Sequence, residues 1–199
     1  MIHALILAAG ASQRMGTQKL LLPYDGVPLL RRVYMQLHEA GMVHIHVVTG
    51  HDHETLQEVI DDDTVSFTRN IDYEQGMLSS IRCGLRALPD TCTGALIALG
   101  DHPQIHVPVI QDLLEASWTE VDKIIAPIHD GRRGHPLIIP RRCWEDLFTR
   151  YDDTGLRGLL REEGDNIFTI DAPSSIHEDM DTPEDYQRAL DALNEGEHR

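Results

Sequence analysis

Short apolar runs alternate along the chain with longer segments in which apolar residues recur every three or four positions. The short runs are typical of buried strands, and the longer segments are typical of helices with one apolar face. From this pattern we predict strands at 2–8, 45–49, 65–68, 95–99, 123–128, 136–139 and 167–170, and helices at 29–39, 54–60, 77–88, 109–117, 142–149, 156–162 and 183–193.

The alternation of predicted strands and helices favours an α/β protein with a mostly parallel central sheet. Local signals support individual helices. Pro28 stands at the start of the first helix, and Thr182 is expected to cap the last one, with Asp185 at its third position. The pattern runs without a linker, repeat or low-complexity segment, so we predict one domain over residues 1–199 whose last residues, 195–199, are frayed.

The most informative segment is LAAGASQRMGTQK at 7–19, which directly follows the first predicted strand. Its small residues let a ligand approach the backbone, and Arg14 and Lys19 supply positive charge. A loop of this kind at the carboxyl end of a strand is where α/β sheets bind phosphate groups. The spacing of its glycines and lysine fits neither the Walker-type loop nor the dinucleotide-binding fingerprint. A plain glycine-rich turn is the alternative to a phosphate site.

The charge balance narrows the range of partners. The chain has 17 basic and 33 acidic residues, which give a formal net charge of −16. Such an acidic surface repels nucleic acids, so we do not expect a nucleic-acid partner. A substrate that carries phosphates then needs positively charged groups at its binding site, and we expect a divalent metal ion to bind together with it.

Cysteine spacing and hydropathy indicate the compartment. Cys83, Cys92 and Cys143 lie far apart, so we expect neither a disulfide scaffold nor a zinc knuckle. No apolar run approaches the ~20 residues that span a bilayer. The segment at 2–9 lacks the basic residues and the length of a signal peptide. We therefore expect a cytoplasmic protein without a membrane partner.

Two acidic positions are candidate metal ligands. Asp101 follows a predicted strand and Gly100, so it should project from the same sheet edge as the first loop. Mg²⁺ prefers one or two carboxylates together with phosphate oxygens of a substrate. Asp181 lies in the acidic segment at 178–185 before the last helix. The alternatives are helix capping by Asp101 and an acidic helix start at 178–185.

Three further segments carry candidate binding groups. GRRGHP at 131–136 sets arginines and a histidine between glycines, which suits an anion, with a hairpin turn and solvated arginines as the alternative. DDTGLR at 152–157 brings Arg157 to a predicted helix start, which suits a phosphate. Ser79 and Ser80 offer hydroxyl groups at another helix start, or ordinary capping in the alternative.

The segment at 7–19 matches, at every fixed position, the Leu-Ala-Ala-Gly-x-Ser-x-Arg-Met-Gly-x-x-Lys signature of the MobA-like nucleotidyltransferases. Gly-Asp-x-Pro at 100–103, Gly-His-Pro at 134–136 and Asp-x-Asp-Thr-Pro-Glu-Asp at 179–185 match further motifs of that family in order. The chain therefore resembles this family over nearly its whole length, and its molybdenum cofactor cytidylyltransferase branch most of all. The 152–157 segment departs from the family's Gly-Asp-x-Gly-Ala-Arg, with Asp for the first Gly and Leu for Ala.

The resemblance implies a three-layer, Rossmann-like fold of the nucleotide-diphospho-sugar transferase type. It implies Mg²⁺-dependent transfer of CMP from CTP to the terminal phosphate of molybdopterin or molybdenum cofactor, with release of pyrophosphate. The pair Ala8-Ala9, where guanylyl-transferring relatives have Ala-Gly, favours CTP over GTP. A molybdenum hydroxylase or its maturation chaperone would be the protein partner.

The resemblance also assigns roles to individual residues. Catalysis is expected from Arg14, Lys19 and Asp101, and Mg²⁺ binding from Asp101 and Asp181. The acceptor substrate is expected to contact Arg133, His135, Asp153 and Arg157. The nucleotide is expected to contact the loop after the first strand, the two serines and one carboxylate, namely Ala8, Ala9, Gly10, Ser12, Arg14, Gly16, Lys19, Ser79, Ser80 and Asp101.

Two other functions stay open at this point. One is a different nucleotidyl transfer in the same superfamily, with GTP or with a sugar phosphate as acceptor. The other is a non-catalytic, nucleotide-binding regulator, which would not need both Asp101 and Asp181. For the enzyme we expect no protein nucleophile or general base, because a phosphate monoester with a second pKa of about 6 is already ionised near neutral pH.

Overall fold

Residues 1–12 and 15–196 are described in a computed structural model of the chain. The first strand, β1 (Ile2–Ala8), is buried along most of its length. Leu5 packs into one apolar cluster, whereas Ala4 and Ile6 on the opposite face pack into another. Because both faces of β1 are covered, this strand lies inside a sheet between two layers of helices.

The other strands are β2 (Pro23–Tyr24), β3 (Val27–Pro28), β4 (Ile45–Thr49), β5 (Ser66–Arg69), β6 (Gly94–Leu99), β7 (Ile124–His129), β8 (Arg132–Arg133), β9 (Leu137–Pro140) and β10 (Ile167–Asp171). The main sheet has eight strands in the order β10-β7-β9-β6-β1-β4-β5, with β8 paired to β7. β9 runs antiparallel to β6 and β7, and β8 runs antiparallel to β7, whereas the other pairs in this sheet are parallel. The predicted α/β class with a mostly parallel sheet is confirmed.

The helices are α1 (Leu29–Glu39), α2 (His53–Val59), α3 (Met77–Ala87), α4 (Val107–Thr119), α5 (Trp144–Thr149), α6 (Leu156–Glu163) and α7 (Pro183–Gly196). α1, α2 and α4 pack on one face of the sheet, and α3, α5 and α6 pack on the other. This arrangement confirms the three layers. α7 packs instead against the start of α1 and the β2–β3 hairpin, around Tyr24, Leu29, Met180 and Ala189.

Each predicted strand and helix is present, with ends displaced by a few residues. The β2–β3 hairpin is absent from the prediction, although its turn residues Asp25 and Gly26 are a strong hairpin signal and adopt φ angles of 52° and 76°. Asp130 and Gly131, with φ angles of 47° and 75°, form a similar turn between β7 and β8. The 131–136 segment therefore starts with a hairpin turn, which the sequence analysis gave as the alternative to an anion-binding site.

The last helix is longer than its prediction. α7 continues to Gly196, which is inside the segment expected to be frayed, while 197–199 lie outside the described residues. Thr182 and Asp185 form the predicted cap, because the Thr182 amide donates to the Asp185 carboxylate at 2.9 Å and the Asp185 amide donates to the Thr182 hydroxyl at 3.2 Å. Within the described ranges, no helix is long and apolar enough to cross a bilayer.

The carboxyl ends of β1 and β6 lie side by side, with Leu7 opposite Leu99 in a parallel register. The Gly100 amide donates to the Leu7 carbonyl at 3.0 Å. A Cβ at position 100 would stand 3.1 Å from that same oxygen, so a glycine allows the closest approach here. This contact brings the residue after it, Asp101, next to the loop that leaves β1.

Candidate active site

A lysine between two carboxylates lies at this edge of the sheet. The ammonium group of Lys19 donates to the carboxylate of Asp101 and, at 3.0 Å, to Oδ1 of Asp181. These residues come from three distant parts of the chain: the loop after β1, the end of β6 and the approach to α7. The fold therefore brings together the cation and both carboxylates that the sequence predicted.

Each of the three side chains is positioned by a separate structural feature. A short 3₁₀ helix, Lys19–Leu21, carries Lys19 and buries Leu20 beneath it. Asp101 follows directly from the contact between Gly100 and β1. Asp181 lies between fully buried Met180 and the cap of α7, so the packing of the last helix determines where this carboxylate stands.

The charges of this group reinforce one another. The side chains of Lys19 and Asp101 are only 13% and 19% exposed, and that of Asp181 is 34% exposed. Burial alone lowers the pKa of Lys19, but the charge of Asp101 and hydrogen bonds to Asp101 and Asp181 outweigh it and raise the pKa above its usual value. Lys19 is therefore a firmly charged ammonium group at neutral pH.

A cleft of about 260 Å³ opens beside this group. Its floor is the end of β1, where Ala8 and Ala9 are buried and Gly10 leads into the loop. Most of the residues predicted to bind a nucleotide or a metal line the cleft, together with some that were not assigned a role: Leu7, Ala8, Ala9, Gly10, Lys19, Leu20, Met77, Ser80, Leu99, Asp101, His102, Asp179 and Asp181.

A second hollow continues from the first along the loop after β1. It shares Gly10, Lys19 and Asp181 with the cleft and adds Ser12, whose hydroxyl accepts the Lys19 amide at 3.1 Å. Gly16, also expected to bind the nucleotide, has a φ of 66°, a conformation that favours glycine. Arg14, expected to contribute to catalysis, lies outside the described residues. The two hollows together form an elongated channel that suits an extended ligand.

The two serines of α3 do not face the same cavity. Ser80 is buried and lines the cleft, whereas Ser79 lines a different cavity that also contains Arg69 and Arg82. The side-chain amide of Asn70 donates to Ser79 Oγ at 2.8 Å and to Ser80 Oγ at 3.0 Å. Ser79 Oγ also lies 2.8 Å from the Gly76 carbonyl at the helix start. Among the described residues the Ser79 hydroxyl bonds to the carbonyls of Asp72 and Gly76 and makes no side-chain cap of α3, whereas the position of Ser80 fits the binding interpretation.

The predicted acceptor residues are dispersed in the described part of the chain. Arg133 is exposed on β8, Asp153 is exposed just before α6 and Arg157 is exposed in its first turn, and none of the three lines the cleft. Asp152, which departs from the family pattern, pairs with Arg82 of α3 at 2.6 Å. This unusual residue therefore ties the loop before α6 to α3.

His135, the fourth predicted acceptor residue, lies behind the cleft wall. Its ring packs edge-on against the ring of His102, with centroids 6.2 Å apart, and His102 itself lines the cleft. Burial, followed by the charge of His102, lowers the pKa of His135 to about 4. Both Nδ1 atoms are inaccessible to solvent and have no hydrogen-bond partner among the described residues. His135 can therefore affect a ligand in the cleft through His102.

The sequence analysis leaves several cleft residues without a role. Met77, 48% exposed, and Asp179 both line the cleft. Outside the cleft lining, Gln18 of the loop after β1 contacts Ser12 in the same loop and Asp52 in the turn after β4. A methionine in a helix and a glutamine in a loop carry no chemical signal in a sequence, so only the fold reveals these positions.

The residues at this site fit a hard divalent cation. Asp101 and Asp181 both reach one ammonium group, so both can reach one small ion in that region. No group of three or more His, Cys, Asp or Glu side chains arranged to hold a metal occurs in the described part of the chain. Two carboxylates leave the rest of a coordination shell to phosphate oxygens and water, which is the mode that Mg²⁺ prefers.

Comparison with known proteins places these features in a family. A model of the MobA-like NTP transferase domain matches residues 4–167, which include Lys19 and Asp101. The molybdenum cofactor cytidylyltransferase of Escherichia coli (strain K12) is 29% identical over 198 residues, which cover 98% of either chain.

Two solved structures share the fold. Rv0371c from Mycobacterium tuberculosis H37Rv superimposes with a TM-score of 0.83 at 25% identity and covers 96% of this chain and 97% of its own. A nucleotidyl transferase from Methanothermobacter thermautotroptrophicus gives the same TM-score of 0.83 at 23% identity, with 98% and 99% coverage. The predicted nucleotide-diphospho-sugar transferase type of fold is thereby confirmed.

Proposed function

The chain belongs to the MobA-like NTP transferase domain family and is a nucleotidyltransferase, and on that premise we propose that it transfers CMP from CTP to the terminal phosphate of molybdopterin or molybdenum cofactor. The observation that carries this proposal is Lys19 between Asp101 and Asp181, beside the small residues that end β1. Because the chain is a nucleotidyltransferase, the alternative of a non-catalytic, nucleotide-binding regulator is excluded. A cytoplasmic location stays a prediction from the sequence.

The charges of the site support phosphoryl chemistry. The triphosphate would lie along the channel, with the amides of the loop after β1 around its oxygens and Lys19 neutralising the charge that grows on departing pyrophosphate. Asp101 and Asp181 would hold Mg²⁺, which supplies charge neutralisation at the phosphates when bound. The chain needs to orient the two substrates in line and to exclude water, because the acceptor phosphate is already an anion.

The choice of nucleotide rests on the floor of the cleft. Ala8 and Ala9 line the cleft and are 1% and 5% exposed, and the base would lie against them. A glycine at position 9 would leave the space of the Ala9 methyl group open for a larger ring. The alanine pair therefore supports a pyrimidine, and the name of the similar E. coli protein supports the same nucleotide and acceptor.

The acceptor is the part of the proposal that depends most on similarity. Arg133, His135, Asp153 and Arg157 stay predicted acceptor contacts, since none of them lines the cleft and His135 reaches it only through its contact with His102. A molybdenum hydroxylase, or its maturation chaperone, is the proposed recipient of the product.

The decisive experiment combines the protein with molybdopterin, Mg²⁺ and either CTP or GTP, and identifies the dinucleotide and the pyrophosphate formed. We expect the cytosine dinucleotide, and we expect chelation of the metal with EDTA to stop its formation. A preference for GTP would overturn the choice of base. Pyrophosphate release that requires a sugar phosphate in place of molybdopterin would overturn the choice of acceptor.

A further inference from the structure

We infer that Asp52 is a positioning residue, which acts through Gln18 to hold the loop after β1 in the conformation that presents Lys19 to the nucleotide. This inference deepens the proposed function and rests on it for its catalytic consequence. Asp52 belongs to the turn between β4 and α2, outside the cleft and outside every motif that the sequence analysis identified.

A continuous series of hydrogen bonds joins Asp52 to Lys19. The side-chain amide of Gln18 donates to Asp52 Oδ2 at 3.0 Å, and its carbonyl accepts from the Ser12 hydroxyl at 2.8 Å. The Ser12 hydroxyl in turn accepts from the Lys19 backbone amide at 3.1 Å. Gln18 thus connects both ends of the loop, at Ser12 and at Lys19, and Asp52 fixes the orientation of Gln18.

The side chain of Asp52 contacts Gln18 and does not cap the helix that follows it, α2. It stands at the first position before α2, where an aspartate usually accepts hydrogen bonds from the first turn, yet its side chain makes no such bond. Its backbone adopts a left-handed conformation, with φ 52° and ψ 35°. The carboxylate reaches Gln18 through Oδ2 instead, and His51 Nε2 lies 3.5 Å from the same oxygen.

The backbone beneath the loop makes the turn that carries Asp52 a rigid support. The His51 amide donates to the Ala9 carbonyl at 3.4 Å. A Cβ at Gly50 would lie 2.7 Å from that carbonyl oxygen and 2.8 Å from the Tyr73 side chain, so the chain passes here at the closest possible distance. The turn is therefore fixed against the end of β1, and Asp52 transmits that fixed position to the loop.

A loop held in this way binds a triphosphate with less loss of conformational entropy. Breaking the contact between Asp52 and Gln18 should leave the nucleotide contacts available but less often assembled. The expected cost is that of one ordinary hydrogen bond, a factor of about 3 to 10 in the KM for the nucleotide. The maximal rate should change by a smaller factor, because in the nucleotide complex the loop is already assembled and Lys19 is held by the nucleotide together with Asp101 and Asp181.

The test uses variants at both ends of the contact. Asp52→Gly removes the carboxylate while tolerating the left-handed backbone, and Gln18→Ala removes the partner. Asp52→Asn keeps an acceptor for Gln18 and should restore wild-type behaviour. Glu54→Ala is the matched control, because Glu54 is an exposed acid in the first turn of the same helix.

Hydrogen exchange of the free protein is the first measurement, in peptides covering 15–22. We expect faster exchange in Asp52→Gly and Gln18→Ala, and wild-type exchange in Asp52→Asn and Glu54→Ala. The second measurement is steady-state kinetics with Mg²⁺-CTP. The double variant with Asp52→Gly and Gln18→Ala should have a KM close to that of Gln18→Ala alone.

The two proposals fail in different ways. The positioning role would be overturned if Asp52→Gly left both the exchange rate and the KM unchanged. It would also be overturned if the KM of the double variant rose by the full product of the two single-variant factors. If the wild-type protein used no nucleoside triphosphate, the proposed function would fail, and exchange in the loop would still decide whether Asp52 positions it.

Discussion

Asp101, from the middle of the chain, and Asp181, from near its carboxyl end, accept hydrogen bonds from one and the same ammonium group, that of Lys19. Neither carboxylate is an isolated buried charge, and the cation between them is held in its charged form. The site thus exists before any ligand arrives, and its two carboxylates against one ammonium group leave a net negative charge that favours a divalent cation. A triphosphate and a divalent ion can exchange into this arrangement without creating an unpaired buried charge.

Removal of either carboxylate should abolish turnover and leave the fold intact. Asp101→Ala and Asp181→Ala should each lower kcat by about 100-fold or more. Each removes a carboxylate that is expected to hold Mg²⁺, and the bound ion neutralises the negative charge that develops on the phosphates. Pyrophosphate release measures the loss, and a thermal unfolding curve close to that of the wild type shows that the fold persists. Glu184→Ala, an exposed acid in the first turn of α7, is the control with normal turnover. Undiminished turnover in Asp101→Ala would remove the metal site from the proposal.

Ser79 and Ser80 provide a second test, since adjacent residues of one helix line different cavities. Ser80→Ala removes a hydroxyl from the cleft and should raise the KM for the nucleotide by about 3- to 10-fold. Ser79→Ala removes a hydroxyl that bonds to Asn70 and to the carbonyls before α3, and it should lower the free energy of unfolding by about 1 kcal/mol. Steady-state kinetics and urea unfolding of both variants give the comparison. A larger KM effect for Ser79→Ala than for Ser80→Ala would show that the nucleotide binds on the other side of α3.

This pair also shows where prediction from sequence ends. The strands and helices could be predicted because their apolar periodicity is local and survives in the fold. Lys19, Asp101 and Asp181 could be predicted because residues that follow parallel strands gather at one sheet edge, and because motifs of a known family surround them. The division between Ser79 and Ser80 depends on how α3 rotates over the sheet, and no sequence pattern specifies that angle.

Two other features depend on contacts between distant segments. Asp52 has no role in the sequence analysis, and its contact with Gln18 arises only because the turn after β4 packs against the end of β1. His135 reads as an acceptor ligand, and its burial against His102 arises from the packing of the segment before β9. In both cases the residue type is informative, but its partner lies far away in the sequence.

A glycine in the middle of α3 gives a stability prediction whose sign is opposite to that expected from helix propensity. Alanine is a better helix former than glycine by about 1 kcal/mol, so propensity alone predicts that Gly84→Ala stabilises the protein. A Cβ at Gly84, however, would lie 2.4 Å from Leu5 Cδ1 and 2.7 Å from Val48 Cγ2, both fully buried. We expect destabilisation of about 1–3 kcal/mol from this overpacking, measured by urea unfolding. A stabilised Gly84→Ala protein would mean that α3 lies farther from the sheet.

The low pKa of His135 predicts how stability depends on pH. Burial holds this pKa at about 4 in the folded protein, against about 6.5 in an unfolded chain. Between these values the unfolded state binds one more proton, so the free energy of unfolding falls as the pH drops from about 6.5 towards 4. His135→Gln removes the group that binds this proton. The slope of the free energy of unfolding against pH should therefore fall by about 1.4 kcal/mol per pH unit around pH 5. Urea unfolding of both proteins at pH 7, 6 and 5 measures the two slopes, and the histidines that do not contact His135 cancel in the difference, whereas the difference includes any change in the titration of its neighbour His102. Equal slopes would show that His135 is protonated as easily in the folded state as in the unfolded chain.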